Sequence, residues 1–423
     1  MNDLETRVSA LLKAGAGDPP NRIQVQGVLR RRARLRLVAA VQAATASGAF
    51  AAVAVGAVAY SASGPNQNRP SFPMTGQFTA ITATSSASAW AVGYTGTQQR
   101  PSPLIEHWDG SSWQQTTLPA GLGHADLLGI AAAPQGNAWA VGYITGTAPS
   151  VVMLHWDGRS WRRVPLPWHP CHGMLTAVAA TSASNAWAFG VAEDNKGNLE
   201  SSQGLHWNGS RWQLTPGLYG PVGRVGVPSE VALGSAGSGW AVGSADVTGP
   251  IKSSKQTPKT VAWQLRGGTW HRATVPGLAE MGFAAVAATG PADAFATAYG
   301  SGIGEVIDHW NGTKWAQTST YGNWEQVEDG LLSGIAALSA NNAWAVGERL
   351  PKMSDGWQGS SLGPSIIHWN GHRWTRSVTP ALRGASLSGV TATSPANAWA
   401  IGQTGSDHPL ILHWNGHAWT QQL

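Results

Sequence analysis

The chain has 423 residues, of which 12% are charged, 53 are glycine and 23 are tryptophan. That balance suits a turn-rich β protein and argues against a charged helical bundle. A single cysteine, Cys171, excludes an internal disulfide. The formal charge of +5 resides in residues 1–36, and the rest of the chain carries 19 basic and 19 acidic side chains, so the body gives no reason to expect nucleic acid as a partner.

In residues 1–36, Leu4, Val8, Leu11 and Leu12 recur at helical spacing until Asp18 to Pro20 breaks the pattern. The segment reads as a basic cytoplasmic juxtamembrane helix, or as a docking site for a cytoplasmic partner. "RRRARLR" then abuts residues 37–60, 24 uncharged positions. About 20 apolar residues span a bilayer, so this stretch is read as a transmembrane helix. The preceding arginines put the N-terminus inside and the body outside. A cleaved signal peptide is the alternative, but the lead is long for one and no clean A-x-A site follows the stretch, which favours an anchor. The expectation is a single-pass protein of the cell membrane, with a linker over 61–75 and an extracytoplasmic domain over 76–423.

That domain is built on repeats. Variants of "NAWAVG" occur at Trp90, Trp139, Trp187, Trp240, Phe295, Trp344 and Trp399, in steps of 48 to 55 residues. Each is followed by a version of "HWNGHRW". Its first tryptophans are Trp108, Trp156, Trp207, Trp263, Trp310, Trp369 and Trp414. Its second are Trp113, Trp161, Trp212, Trp270, Trp315, Trp374 and Trp419. One unit reads as four short strands, for which "LSGIAAL", "AWAVG", "SIIHW" and "HRWTRSV" serve as the example. An Asn-Gly or Asp-Gly pair between strand-like runs is a strong hairpin signal. Read as a two-residue loop, Asn370-Gly371 would set Trp369 opposite His372 and Ile367 opposite Trp374. The two tryptophans would then be diagonal neighbours on one face.

Seven four-stranded units with a period near 50 predict an all-β fold, a seven-bladed β-propeller and a monomeric ring. A solenoid would need polar capping repeats, and the first and last units are ordinary. The ring is expected to close by blade-to-blade packing unless residues 70–75 add an outer strand. The order "AWAVGE … IIHWNGHRWTRSVTP" resembles kelch-type propellers, departing from them by one glycine, such as Gly347, where kelch units carry a pair. The turn between the third and fourth strands is similar in placement to the Asp-box of sialidase-like propellers. The layout also resembles single-pass surface proteins of actinobacteria. Kelch-like and Asp-box propellers imply architecture here rather than activity.

In such a ring the 1–2 and 3–4 turns lie on one face, and the 2–3 and interblade loops on the other. The 2–3 loops vary, spanning 10 to 20 residues between the glycine and histidine positions. Variable loops on a rigid scaffold are where binding sits. The repeated histidines (His107, His155, His206, His309, His368, His413) read as structural, bonded to neighbouring backbone. Candidate ligand-binding residues are those that occur once: Trp168, His169 and His172 of "PWHPCHG", Trp324 and Glu325 of "YGNWEQVEDG", and Arg349 and Trp357 of the blade-six loop. Cys171 beside the two histidines could hold a soft metal, but no C-x-x-C or H-E-x-x-H accompanies it, and no metal, cofactor or catalytic residue is assigned. No P-loop or dinucleotide fingerprint stands out. The reading is a membrane-anchored binding module for a carbohydrate, cell-wall or protein ligand. A glycan- or peptide-directed hydrolase or lyase using loop acids is the first alternative, and a transmembrane sensor the second.

Overall fold

Alternating apolar strands and short turns fold each unit into four antiparallel strands taken in sequence order, and seven such sheets form. The computed structural model describes residues 75–422 apart from loop segments, the longest being 246–258, 322–330 and 351–360. Residues 1–36, the stretch 37–60 and the linker up to residue 74 lie outside the described residues. Among the described residues no helix is long and apolar enough to cross a membrane.

Blade six runs Leu332–Ser339, Asn342–Arg349, Gly363–Trp369 and Trp374–Arg376. Blade three adds a two-residue strand, Gly220–Pro221, to its third strand. First strands of successive blades pack side by side, and the first strand of blade seven packs on that of blade one. They therefore line the centre of the ring, and the fourth strands form its rim.

Every first strand carries a bulge at the same place, as between Phe78 and Ala80 or between Leu387 and Gly389. The bulged residue turns its side chain toward the next blade. Ser229 Oγ donates to Val242 O of its own blade at 3.0 Å and to Phe283 O of the next at 3.1 Å. Thr79 and Thr176 do the same. Ser388 closes the ring by this device, donating to Ile401 O at 3.2 Å and to Phe78 O at 2.7 Å.

The bulge also explains the glycine of "AWAVG". It presses a first-strand carbonyl onto the second strand, so that a Cβ on Gly402 would fall 1.9 Å from Ser386 O. Blade five carries Ala298 at this place, opposite Phe283. Gly402→Ala is therefore expected to cost about 1–3 kcal/mol through displaced backbone without unfolding the ring. A denaturant titration measures this.

The Asn-Gly hairpin differs from the expected register. Trp369 pairs directly with Trp374, and Ile367 with Arg376. The loop holds the four residues between the tryptophans. Asn370 Oδ1 accepts the backbone N–H groups of His372 and Arg373, each at 3.0 Å. A side-chain acceptor thus closes the turn, and only Gly371 takes positive φ, at 92°. The other Asn/Asp-Gly hairpins use the same acceptor, for example Asp109 with Ser111 and Ser112. Blade four alone has a two-residue loop, with Gly267 and Gly268 both at positive φ and Arg266 paired to Thr269. One consequence corrects the repeat alignment. Leu265, not Trp263, faces Trp270, and Trp263 falls two residues early, opposite Ala241.

The tryptophans hold blade to blade. The second-strand ring of one blade enters the tryptophan pair of the next: Trp344 lies 5.3 Å from Trp414 and 5.4 Å from Trp419, edge to face with the latter. Phe295 substitutes at one interface, 6.2 Å from Trp369 and 6.0 Å from Trp374. The last blade repeats the arrangement on the first, with Trp399 at 4.9 Å from Trp108 and 5.2 Å from Trp113. Among the described residues, the last blade thus meets the first by the same kind of packing as at the other seams, and no described strand crosses from one blade's sheet to another.

Candidate functional site

The repeated histidines are structural, as expected, but their partner is a side chain rather than backbone. His413 stacks on Trp399 at 4.0 Å, and its Nε2 lies 2.8 Å from Asn397 Oδ1. His155, His206 and His368 pair likewise with Asn137, Asn185 and Asn342, and His309 with Asp293. The asparagine of "NAWAVG" is therefore the histidine's clamp. Burial holds the rings of His155, His206, His368 and His413 below the usual imidazole value, so they stay uncharged.

The opposite end of the blades is chemically different. Above the bulges, facing residues of the first and second strands set polar side chains around the mouth of the ring in blades one, two and seven. Gln77 pairs with Tyr94, Asp126 with Tyr143, and Ser386 with Gln403. Two carboxyl side chains are buried there, Glu193 at 3% exposure and Glu348 at 2%. The turn end instead holds its polar side chains in the His–Asn and His–Asp pairs stacked on aromatic rings.

Two of the expected site residues lie at this end of the blades. His172 opens the first strand of blade three, half-buried, opposite Glu193 in the register. Arg349 ends the second strand of blade six beside Glu348, and its Nη2 donates to Leu362 O at 3.3 Å. No described contact joins His172 to Arg349, and blades four and five separate them on the shorter path round the ring. Trp168, His169, Trp324, Glu325 and Trp357 lie outside the described residues. Among the described residues no group of three or more His, Cys, Asp or Glu could hold a metal ion.

Sequence reasoning missed Asp126, Glu193 and the tyrosines at the mouth. The signal was available: each follows the "AWAVG" glycine by one to three positions, or lies in the partner strand. It also missed two buried acids away from the mouth. Glu106 and Asp308 are 2% and 3% exposed on third strands. The same place in other blades holds Leu154, Leu205, Ile367 or Leu412. Burial pushes the Glu106 carboxyl up to about 7 and that of Asp308 up to about 6.

No protein-family model and no curated protein matches the chain. Solved structures do. YCF48 bound to D1 peptide superposes with a TM-score of 0.52 at 15% identity, over 81% of this chain and 94% of that one. The GH74 xyloglucanase from Xanthomonas campestris gives 0.56 at 11% identity over 84% of this chain, which spans about half (55%) of the enzyme. A PL25 ulvan lyase bound to -[GlcA(1-4)Rha3S]- gives 0.51 at 11% identity, over 83% of this chain and 96% of that one. At these identities the likeness is one of fold, and with the seven sheets it makes this chain an all-β seven-bladed propeller of four-stranded blades.

Proposed function

We propose that the protein is a binding module whose recognition surface is the mouth of the ring on the variable-loop face. One observation carries this reading: polar side chains of blades one, two and seven surround that opening, while at the other end of the blades polar groups are taken up in repeated histidine pairs stacked on aromatic rings. Hydroxyl, amide and carboxyl groups beside Tyr94 and Tyr143 suit a carbohydrate or an extended peptide. The kelch-like strand order belongs to this proposal, as do the anchor over 37–60 and an extracytoplasmic propeller. They rest on "AWAVGE" with its single glycine and on the arginine cluster before the uncharged stretch.

A hydrolase or lyase is the second reading, favoured by Glu193 and Glu348 at the mouth. The fold neighbours do not choose between the two, since they include a peptide-bound protein, a xyloglucanase and a polysaccharide lyase. Full-length protein on arrays of neutral glycans and of peptides separates them. The binding reading expects retention of one class with the retained molecule recovered intact. Release of cleaved product, abolished by Glu193→Gln or Glu348→Gln, would establish the enzyme reading instead.

A further inference from the structure

The body is neutral in total, but its charge is not evenly spread. The third-to-fourth-strand hairpins of blades two to six each present exposed cations: Arg159 and Arg163, then Arg211, Arg266, Lys314 and Arg373. The corresponding hairpins of blades one and seven, residues 109–115 and 415–421, contain no lysine or arginine. The cations therefore form one continuous arc over five adjacent blades.

Acidic groups on this face are few among the described residues. Asp109 and Asp157 are fixed as turn acceptors, and Asp157 also pairs with Arg162 at 3.1 Å. Asp293 is committed to His309 at 2.7 Å. Charge on a rim strand also deters edge-to-edge pairing, but either sign would serve that purpose. Here three of the seven fourth strands, Trp161–Arg163, Thr269–Ala273 and Trp374–Arg376, carry arginine and none carries an acid. Half-buried indoles, Trp156, Trp207 and Trp374, lie in the same hairpins as the cations.

We propose that this arc is a second interaction surface, separate from the mouth, and that its partner is an acidic polysaccharide. Guanidinium groups take carboxylate and sulfate oxygens in bidentate fashion, and an indole edge beside them offers an apolar face to a sugar ring. Cations set one blade apart match charge repeated along a flexible polymer better than a single compact anion. The arc also faces away from the end where Thr75 and Gly76 enter the first strand. Whatever precedes them joins the opposite face, so the arc points away from that attachment, which disfavours a lipid surface carried by the same chain. The inference does not depend on what the mouth binds.

The test uses full-length protein and heparin as the probe, by titration at several salt concentrations. Tight binding that weakens steeply with added salt is expected. The variant R159Q/R163Q/R211Q/R373Q should bind at least about tenfold more weakly, given four charge-assisted contacts removed. Its thermal midpoint should match the wild type, because all four side chains are exposed. Arg349→Gln at the mouth should leave heparin binding unchanged. Absence of heparin binding, or equal affinity of the quadruple variant, overturns the proposal. So does tighter binding to duplex DNA or to phosphatidylglycerol vesicles than to heparin, since either would name a different class of partner.

Discussion

Replacing Trp399 with alanine is expected to cost about 3–5 kcal/mol, the range for deleting a fully buried tryptophan. The ring is 0% exposed and meets Trp108 and Trp113 across the seam between the last blade and the first. The informative comparison is Trp344→Ala, which removes the same contact between blades six and seven. A ring closed by packing predicts similar losses for the two variants in denaturant titrations. If Trp399→Ala cost far less than Trp344→Ala, the ends of the propeller would not be joined as described. The Ser388 hydroxyl bond to Phe78 O would then be a weak clasp on an open ring.

Glu106 yields the second large effect. It lies on the third strand of blade one, on the side turned to blade seven, where four other blades bury an aliphatic residue. In the folded protein burial raises its carboxyl pKa to about 7, against the ordinary value of 4.5 in the unfolded chain. Between those values the folded state holds more protons than the unfolded one, so stability falls as pH rises through the window and stays lower above 7. A displacement of that size corresponds to about 3 kcal/mol. Glu106→Leu is expected to remove the penalty and raise the midpoint of thermal unfolding by about 4 °C at pH 8, scaling the entropy of unfolding to a domain of this size. The gain should shrink as pH falls to 4.5. Thermal melts of both proteins across that range measure it, and an equal gain at every pH would contradict a buried, ionisable Glu106. The histidines act in the other direction. Their lowered values make the fold lose stability as pH drops below 6.5, and they do so equally in both proteins.

Much of the architecture was legible because each blade repeats one message. Tryptophans at fixed offsets, a glycine ending the second strand and an Asn-Gly turn name four strands, and seven copies name a ring. The hairpin register was not legible. Asn-Gly suits a two-residue loop by backbone preference, but the Asn370 side chain captures two amides and opens the loop to four residues. Only Gly267-Gly268, which has no side chain to do so, gives the shorter turn. Trp263 was misplaced because tryptophan identity was followed rather than spacing: Leu265, five residues before Trp270, fills the first-tryptophan place, and Trp263 stands two positions before it. The first-strand bulge left a single trace, a glycine whose Cβ would strike a carbonyl. The mouth was harder still. Asp126, Glu193 and Tyr143 stand in separate strands far apart in sequence, and nothing local marks them as neighbours around one opening.

The central claim is that recognition occurs at the mouth on the variable-loop face. Hydrogen exchange of the full-length protein, with and without a neutral glycan or peptide retained from the arrays at high salt, tests it most directly. High salt removes contributions from the basic arc. The account predicts new protection at the ends of the second strands, at Tyr94 to Gly96, Tyr143, Glu193 and Arg349, with the 3–4 hairpins unchanged. Protection confined to the hairpins around Asp109, Asn370 and Asn415 would contradict it.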